Sequence, residues 1–85
     1  MRRFKWIEWN LQKIAAHGLS SGEVEAAFDR IMDLKVRSDG SYEIYATTPS
    51  GRKILVIWRY DRDDDEAADI FSELDDPLIF VITAY

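Results

Sequence analysis

At 85 residues the chain has room for a single domain spanning 1–85, because domains typically take roughly 100–200 residues. A composition of 47% hydrophobic and 13% aromatic residues excludes a wholly disordered chain, and zero cysteines exclude disulfides, thiolate chemistry and cysteine-based zinc sites. Taken at face value, the formal net charge of −5 argues against nucleic acid as a partner. That charge is unevenly distributed: residues 61–76 hold nine acids and one base, or −8, while the other 69 residues hold ten bases and seven acids, or +3, so the net charge does not exclude RNA.

Two helices are predicted after a short N-terminal strand. Aromatic and branched residues at 3–7 indicate the strand, and apolar spacing indicates a first helix over 8–17, followed by Gly18 as its C-cap. A second helix is predicted over about 21–33, because Ser20 with a glutamate three residues later has the spacing of a capping box. Its apolar stripe consists of Val24, Ala27, Phe28, Ile31 and Met32.

Beyond the second helix the apolar period changes to two, which is typical of strands. Alternation at 34–37 and again at 42–47 predicts two strands that can also merge into one. The residues Thr48-Pro49-Ser50-Gly51 predict a tight turn into a hairpin partner at 52–60. A last strand is predicted over 77–85.

These elements predict an α+β domain with two layers. Their order is β-α-α-β-β-β-β, or β-α-α-β-β-β if the two strands after the helices merge, and we adopt the merged order. It gives a mainly antiparallel sheet of four or so strands, with the two N-terminal helices on one face. The apolar runs 54–58 and 78–82 are hydrophobic on both sides, so each strand is covered twice or forms an interface. A homodimer through the sheet surface is therefore one expectation.

The acidic insert at 61–76 is expected to be a solvated loop or a short helix. A sharper alternative is a surface that binds a metal or a basic partner, or that shields the basic body. Asp61, Asp63 and Asp65 have the spacing of a calcium loop, but Glu66 and Ser72 stand where glycine and glutamate are required. We therefore predict no metal and no cofactor.

No targeting signal is evident in the sequence. The N-terminal residues 1–6 are basic but precede no apolar run, and the longest apolar run, 54–58, is far shorter than the roughly 20 residues that a membrane helix needs. Absence of cysteine favours a reducing compartment. A cytoplasmic location without membrane contact is therefore predicted.

Few residues suit catalysis. His17 is the only histidine, and it can either stabilise the end of a helix or act as a general base. Arg59, between Trp58 and Tyr60, has the arginine–aromatic interleaving that stacks on unpaired bases. The basic residues of the strands can face phosphates or can be solvated edge residues; they are Lys35, Arg37, Arg52, Lys53 and Arg59. Tryptophans 6 and 9 are expected in the core or in an interface.

Five short segments carry a family resemblance that spans nearly the whole chain apart from the acidic insert. They are Phe4-Lys5-Trp6-Ile7-Glu8-Trp9-Asn10, Ala16-His17-Gly18-Leu19, Glu23-Val24-Glu25, Thr48 to Arg52 and Val81-Ile82-Thr83-Ala84-Tyr85. Together they resemble the BrnT-like toxins of the RelE/ParE-like superfamily.

The resemblance implies a small metal-independent ribonuclease of a type II toxin–antitoxin system, neutralised by an antitoxin. It implies that His17 takes the proton of the ribose 2′-hydroxyl while Arg52 and Arg59 stabilise the charge growing on phosphorus. The resemblance also implies Lys13 as a further phosphate-binding position. Together with the basic strand residues Lys35, Arg37 and Lys53, it forms the expected RNA-binding set.

Two departures from the family pattern keep a second hypothesis open. Tyr85 stands in place of the family's last arginine, with no following helix in the sequence, and the acidic insert would repel RNA if it lay near the basic face. The alternative is a non-catalytic protein-interaction module with the same fold.

Overall fold

The computed structural model describes residues 2–61 and 78–85. The elements in this part of the chain are β1 Arg3–Lys5, α1 Glu8–Ala15, α2 Ser21–Ala27, β2 Ile31–Val36, β3 Tyr42–Thr47, β4 Lys53–Tyr60 and β5 Leu78–Ala84. The coarse prediction of an α+β fold is confirmed. Nearly all of the acidic insert, including the predicted loop or short helix and the comparison with a calcium loop, lies outside the described residues.

The sheet has five strands in the order β1-β5-β4-β3-β2. β1 pairs with β5 in parallel, and the other neighbours are antiparallel. The predicted sheet of four or so strands and the merged order β-α-α-β-β-β are therefore wrong. β2 and β3 stay separate because Gly40, with φ of 89°, allows a tight turn between them. Arg37 closes this turn by donating its N–H to the carbonyl of Ser41 at 2.8 Å.

α2 is shorter than the predicted helix 21–33. Its capping box is present, with Ser20 N–H donating to Glu23 Oε1 at 2.9 Å and Glu23 N–H donating to Ser20 Oγ at 3.2 Å. The N–H groups of three successive residues, 28–30, then bond to carbonyls three positions back, which tightens and ends the helix. Ile31 and Met32 follow the helical spacing but belong to β2 and are exposed.

α1 ends at Ala15, two residues before the predicted end at His17. Gly18 has φ of 75° and donates its N–H to the Ala15 carbonyl, while Leu19 donates to the Ile14 carbonyl at 3.0 Å. This is the hydrogen-bond pattern of a Schellman motif, which satisfies the last carbonyls of a helix. His17 therefore lies in the turn after α1.

The helices and one face of the sheet enclose the core. Its helical and loop members are Ile14, Leu19, Val24, Ala27 and Phe28, and its strand members are Ile44, Ala46, Ile54, Val56, Trp58, Ile79, Val81 and Ala84. We call the opposite face of the sheet the open face. Because side chains alternate along a strand, residues such as Lys35, Glu43, Lys53 and Leu55 lie on the open face.

Asn10 joins α1 to the edge of the sheet and is fully buried. Its Oδ1 accepts the Ile7 N–H at 2.7 Å, and its Nδ2 donates to the carbonyls of Lys5 at 2.9 Å and Val81 at 3.1 Å. α1 thus covers β5 where the short strand β1 has ended.

No helix among the described residues is long and apolar enough to span a membrane. The cytoplasmic location stays a prediction.

Candidate nucleic-acid interface

Two turns that are distant in the chain meet at one corner of the sheet. The first follows α1 and contains His17 and Gly18. The second is the predicted turn before β4, in which Gly51 has φ of 93° and donates its N–H to the Thr48 carbonyl at 2.9 Å. Arg52 connects the turns, since its Nη2 donates to the His17 carbonyl at 2.7 Å and its Nη1 approaches the Gly18 carbonyl at 3.5 Å.

The imidazole of His17 lies at this corner beside Tyr85. Their ring centroids are 5.5 Å apart and the planes are tilted by 44°. Tyr85 is itself held by two backbone hydrogen bonds with Leu55, of 2.8 and 3.0 Å. Both rings are exposed to solvent. The corner therefore presents an imidazole, a phenol ring and a guanidinium within one small surface.

A second feature of the surface is an alternation of cations and rings, which we call the cation–aromatic row: Lys13, Trp9, Phe80 and Arg59. The Lys13 Nζ lies 4.8 Å from the Trp9 ring centroid, and the Arg59 Cζ lies 4.8 Å from that of Phe80. Between them the Trp9 and Phe80 rings stack at 5.9 Å with planes only 10° apart. Trp9 keeps 46% of its surface exposed. The row thus presents a half-exposed indole between two positive charges.

The aromatic partners of Arg59 differ from those that the sequence predicts. Trp58 lies in the core and Tyr60 packs against it, whereas Arg59 is exposed on the open face. Neighbours in a strand point to opposite faces, so interleaving along the chain does not place arginine and rings on one surface. The actual partner is Phe80, which stands opposite Arg59 on β5. Only the register between the strands reveals it.

The remaining basic residues lie near β2, among carboxylates. Lys35 and Lys53 line a depression of about 360 Å³ on the open face together with Asp33, Glu43, Tyr45, Leu55 and Tyr85. Arg37 donates to Glu43 at 3.0 Å. The mixture of charges reduces the positive potential here. Lys13 and Arg59, by contrast, contact aromatic rings.

The structure brings some of the predicted site residues together and separates others. His17 and Arg52 meet at the corner, Lys13 and Arg59 belong to the cation–aromatic row, and Lys35 with Lys53 borders the depression. Arg59 does not join His17 and Arg52, because the two arginines are seven positions apart along an extended segment, or about 23 Å at roughly 3.3 Å per residue. The three predicted catalytic residues thus form no single cluster.

Two members of the cation–aromatic row were not among the sequence-predicted site residues. Trp9, expected in the core or in an interface, is half exposed in the row, and Phe80 is its stacking partner. Among residues 2–61 and 78–85, no group of three His, Cys, Asp or Glu side chains is placed to hold a metal ion. No protein-family model, curated protein or solved structure matches the chain.

Proposed function

We propose that this chain is a divergent toxin-like protein of a type II toxin–antitoxin system that acts on single-stranded RNA without a metal. One observation carries the proposal. Arg52 bonds to the His17 backbone at 2.7 Å, so two of the five segments that carry the resemblance to BrnT-like toxins form one corner although these residues lie 35 positions apart. A family motif that is split in sequence and joined in space is typical of a functional site.

In this proposal His17 is the general base. Histidine is the side chain most often used as a general base, and the exposed imidazole of His17 would take the proton of a ribose 2′-hydroxyl. The hydroxyl oxygen then attacks the adjacent phosphorus, and the 5′-oxygen of the next nucleotide leaves and takes a proton from solvent, to which the His17 imidazolium later returns its own. The products are a 2′,3′-cyclic phosphate and a 5′-hydroxyl end.

Arg52 has a positioning role and an electrostatic role in the proposal. Guanidinium carries five N–H donors, and the contacts with the two turn carbonyls use two of them. The remaining donors and the fixed positive charge suit a phosphate oxygen. Arg59, which lies too far from His17 for the same phosphate, is assigned to RNA binding with Lys13.

The cation–aromatic row is the proposed platform for the bases. Base–aromatic stacking is tolerant of sequence and contributes about 1–3 kcal/mol per base, and flanking cations neutralise the backbone. Trp9 offers a half-exposed indole for this purpose. Binding of a single-stranded oligonucleotide should therefore quench tryptophan fluorescence and weaken as salt rises.

The decisive experiment combines growth, cleavage and binding. Induced expression should arrest growth, and the purified protein should leave cyclic-phosphate ends on RNA. H17A should abolish cleavage while retaining RNA binding. W9A should weaken binding roughly 5- to 150-fold, whereas the matched variant L11A, at an exposed position of the same helix, should not. Co-expression of a cognate antitoxin should restore growth.

A specific observation favours the second candidate, a non-catalytic interaction module of the same fold. Both side-chain contacts of Arg52 are with backbone carbonyls, which is how a purely structural arginine ties two turns together. That candidate predicts a folded protein that neither arrests growth nor cleaves RNA, and whose H17A variant behaves as the wild type. These results would overturn the toxin proposal.

A further inference from the structure

The two edges of the sheet differ in their protection. At one edge β1 is only three residues long, and α1 covers the rest of β5 through the bond from Asn10 to the Val81 carbonyl. At the other edge, every residue of β2 from Ile31 to Val36 is exposed, and the described part of the chain contributes no strand beyond it. Its exposed apolar side chains are Ile31, Met32, Leu34 and Val36. A long apolar edge strand is a template for pairing with another strand.

The hydrogen-bonding direction of each residue in β2 follows from the turn after it. The Arg37 N–H donates to the Ser41 carbonyl on the β3 side. Because backbone groups alternate in direction along an antiparallel pair, the N–H and C=O groups of Lys35 and Asp33 also point toward β3. Leu34 and Val36 then direct their N–H and C=O groups outward. The Leu34 N–H accordingly bonds to its neighbour's side chain, Asp33 Oδ1, at 2.8 Å.

The side chains of β2 divide into an apolar face and a charged face. Leu34 stands opposite Ile44 and Val36 opposite Tyr42, so both extend the core side of the sheet. They are nevertheless 53% and 74% exposed, because no described element covers them. Asp33 and Lys35 lie on the open face. A partner strand that suits this edge must be apolar on one face and must complement one acid and one base on the other.

A second copy of β2 meets these requirements in one register. If a two-fold axis passes through Leu34, antiparallel pairing places Asp33 opposite Lys35 of the partner, twice by symmetry. A centre at Asp33 would place two carboxylates opposite each other, and a centre at Lys35 two ammonium groups. Opposite charges across a strand pair stabilise it, and like charges destabilise it. The apolar faces also match, since Leu34 meets its own copy.

We propose that the chain forms a homodimer by antiparallel pairing of two β2 edges about a two-fold axis at Leu34. In the monomer the Asp33 carboxylate accepts the outward N–H of Leu34. In the dimer the partner's Leu34 carbonyl accepts that N–H instead. The Asp33 carboxylate is then available to pair with the partner's Lys35. The register shift between Ile31 and Asp33 ends regular pairing at one end. The interface is therefore short, and association depends on concentration.

Thiol cross-linking tests the register directly, because the chain has no native cysteine. In L34C the two thiols lie on residues that face each other, with Cα atoms about 5.5 Å apart, and a short bis-maleimide should join them. V36C is the matched control. It is on the same face and more exposed, but its Cα is about 14 Å from its copy, since four positions at roughly 3.4 Å separate them. Equal or faster cross-linking of V36C would overturn the register.

Charge reversal tests the proposed pairs by sedimentation equilibrium. D33K and K35D each create two like-charge contacts, and each should weaken self-association by about thirtyfold. An equimolar mixture of the two variants should form a heterodimer, since every cross-strand contact is then complementary. Circular dichroism checks that both variants fold. A wild-type protein that stays monomeric at all concentrations would overturn the proposal and leave the edge to a strand of another protein.

Discussion

Asn10 offers the sharpest stability prediction because a single buried amide holds three backbone groups. Its side chain is 0% exposed and bonds to Ile7, Lys5 and Val81 over 2.7, 2.9 and 3.1 Å. At about 1 kcal/mol net for each hydrogen bond, N10A should lower the free energy of unfolding by about 3 kcal/mol. That is a large fraction of the 5 kcal/mol or so at the lower end of the range for native proteins.

The N10D variant tests the direction of the hydrogen bonds. A carboxylate oxygen would replace the amide donor and face two carbonyl oxygens in a buried site, so at pH 7 the loss should be about 3–5 kcal/mol. The proximity of the helix N-terminus offsets at most about 1 kcal/mol of this. When protonated, the new carboxyl donates one bond again, so its pKa in the folded protein lies above the unfolded value of about 3.9. The deficit relative to the wild type should therefore shrink as pH falls from 7 towards 4.

Urea denaturation followed by tryptophan fluorescence measures both effects. With a slope of about 1 kcal/mol/M for a chain of this size, N10A should lower the midpoint by about 3 M. Q12A is the matched control on the same helix, because that amide makes only an exposed bond with Glu8 at 3.2 Å, and its loss should change stability by less than about 0.5 kcal/mol. If N10A resembled Q12A, or if the N10D deficit did not change with pH, the assigned role of Asn10 would be refuted.

Three further predictions follow from local geometry. G51A should cost about 1–2 kcal/mol in urea denaturation, because φ of 93° strains any residue with a Cβ, and G22A should not, since Gly22 has ordinary helical geometry and open space around it. S20A should cost about 1 kcal/mol and S20T much less, because only the hydroxyl keeps the capping box; equal losses would contradict this. The Asp39 carboxylate accepts bonds from the Ser41 hydroxyl at 2.6 Å and from the Ser41 N–H at 3.0 Å, and these bonds hold the Asp39 pKa below its ordinary value. The stability that they contribute is therefore present above about pH 4 and is lost as pH falls through the lowered pKa. Carboxyl NMR titration should show a low Asp39 midpoint that rises in S41A, and an unchanged midpoint would refute the cause.

Local signals in the sequence predicted the turns and caps well. The capping box at Ser20, the glycine after α1 and the turn at 48–51 depend on a few neighbouring residues, and all three are confirmed. The boundary of α2 was missed because Ile31 and Met32 continue the helical spacing by coincidence. Pairing with β3 overrides that spacing, and branched Ile31 is well suited to a strand.

The candidate site was only partly predictable for a related reason. His17 and Arg52 were singled out separately, by residue type and by family resemblance, and the distance of 2.7 Å between the guanidinium and the turn carbonyl results from the packing of α1 against the sheet. Arg59 was assigned to the same phosphate from the family resemblance, although seven positions along the strand predicted over 52–60 already separate it from Arg52 by about 23 Å at roughly 3.3 Å per residue. Trp9 was expected in the core or an interface, although its indole stacks on Phe80 and stays half exposed.

The uneven distribution of charge illustrates which properties the sequence determines and which depend on the tertiary structure. The sequence alone determined the α+β class, the caps, the turns and a basic body apart from one acidic insert, because these depend on composition and on contacts between near neighbours. Only the tertiary structure decided that the strand order is β1-β5-β4-β3-β2, that acids surround the bases beside β2, and that the cations beside α1 alternate with rings. The physical reason is that register and strand order depend on pairings between distant segments, which local patterns do not specify.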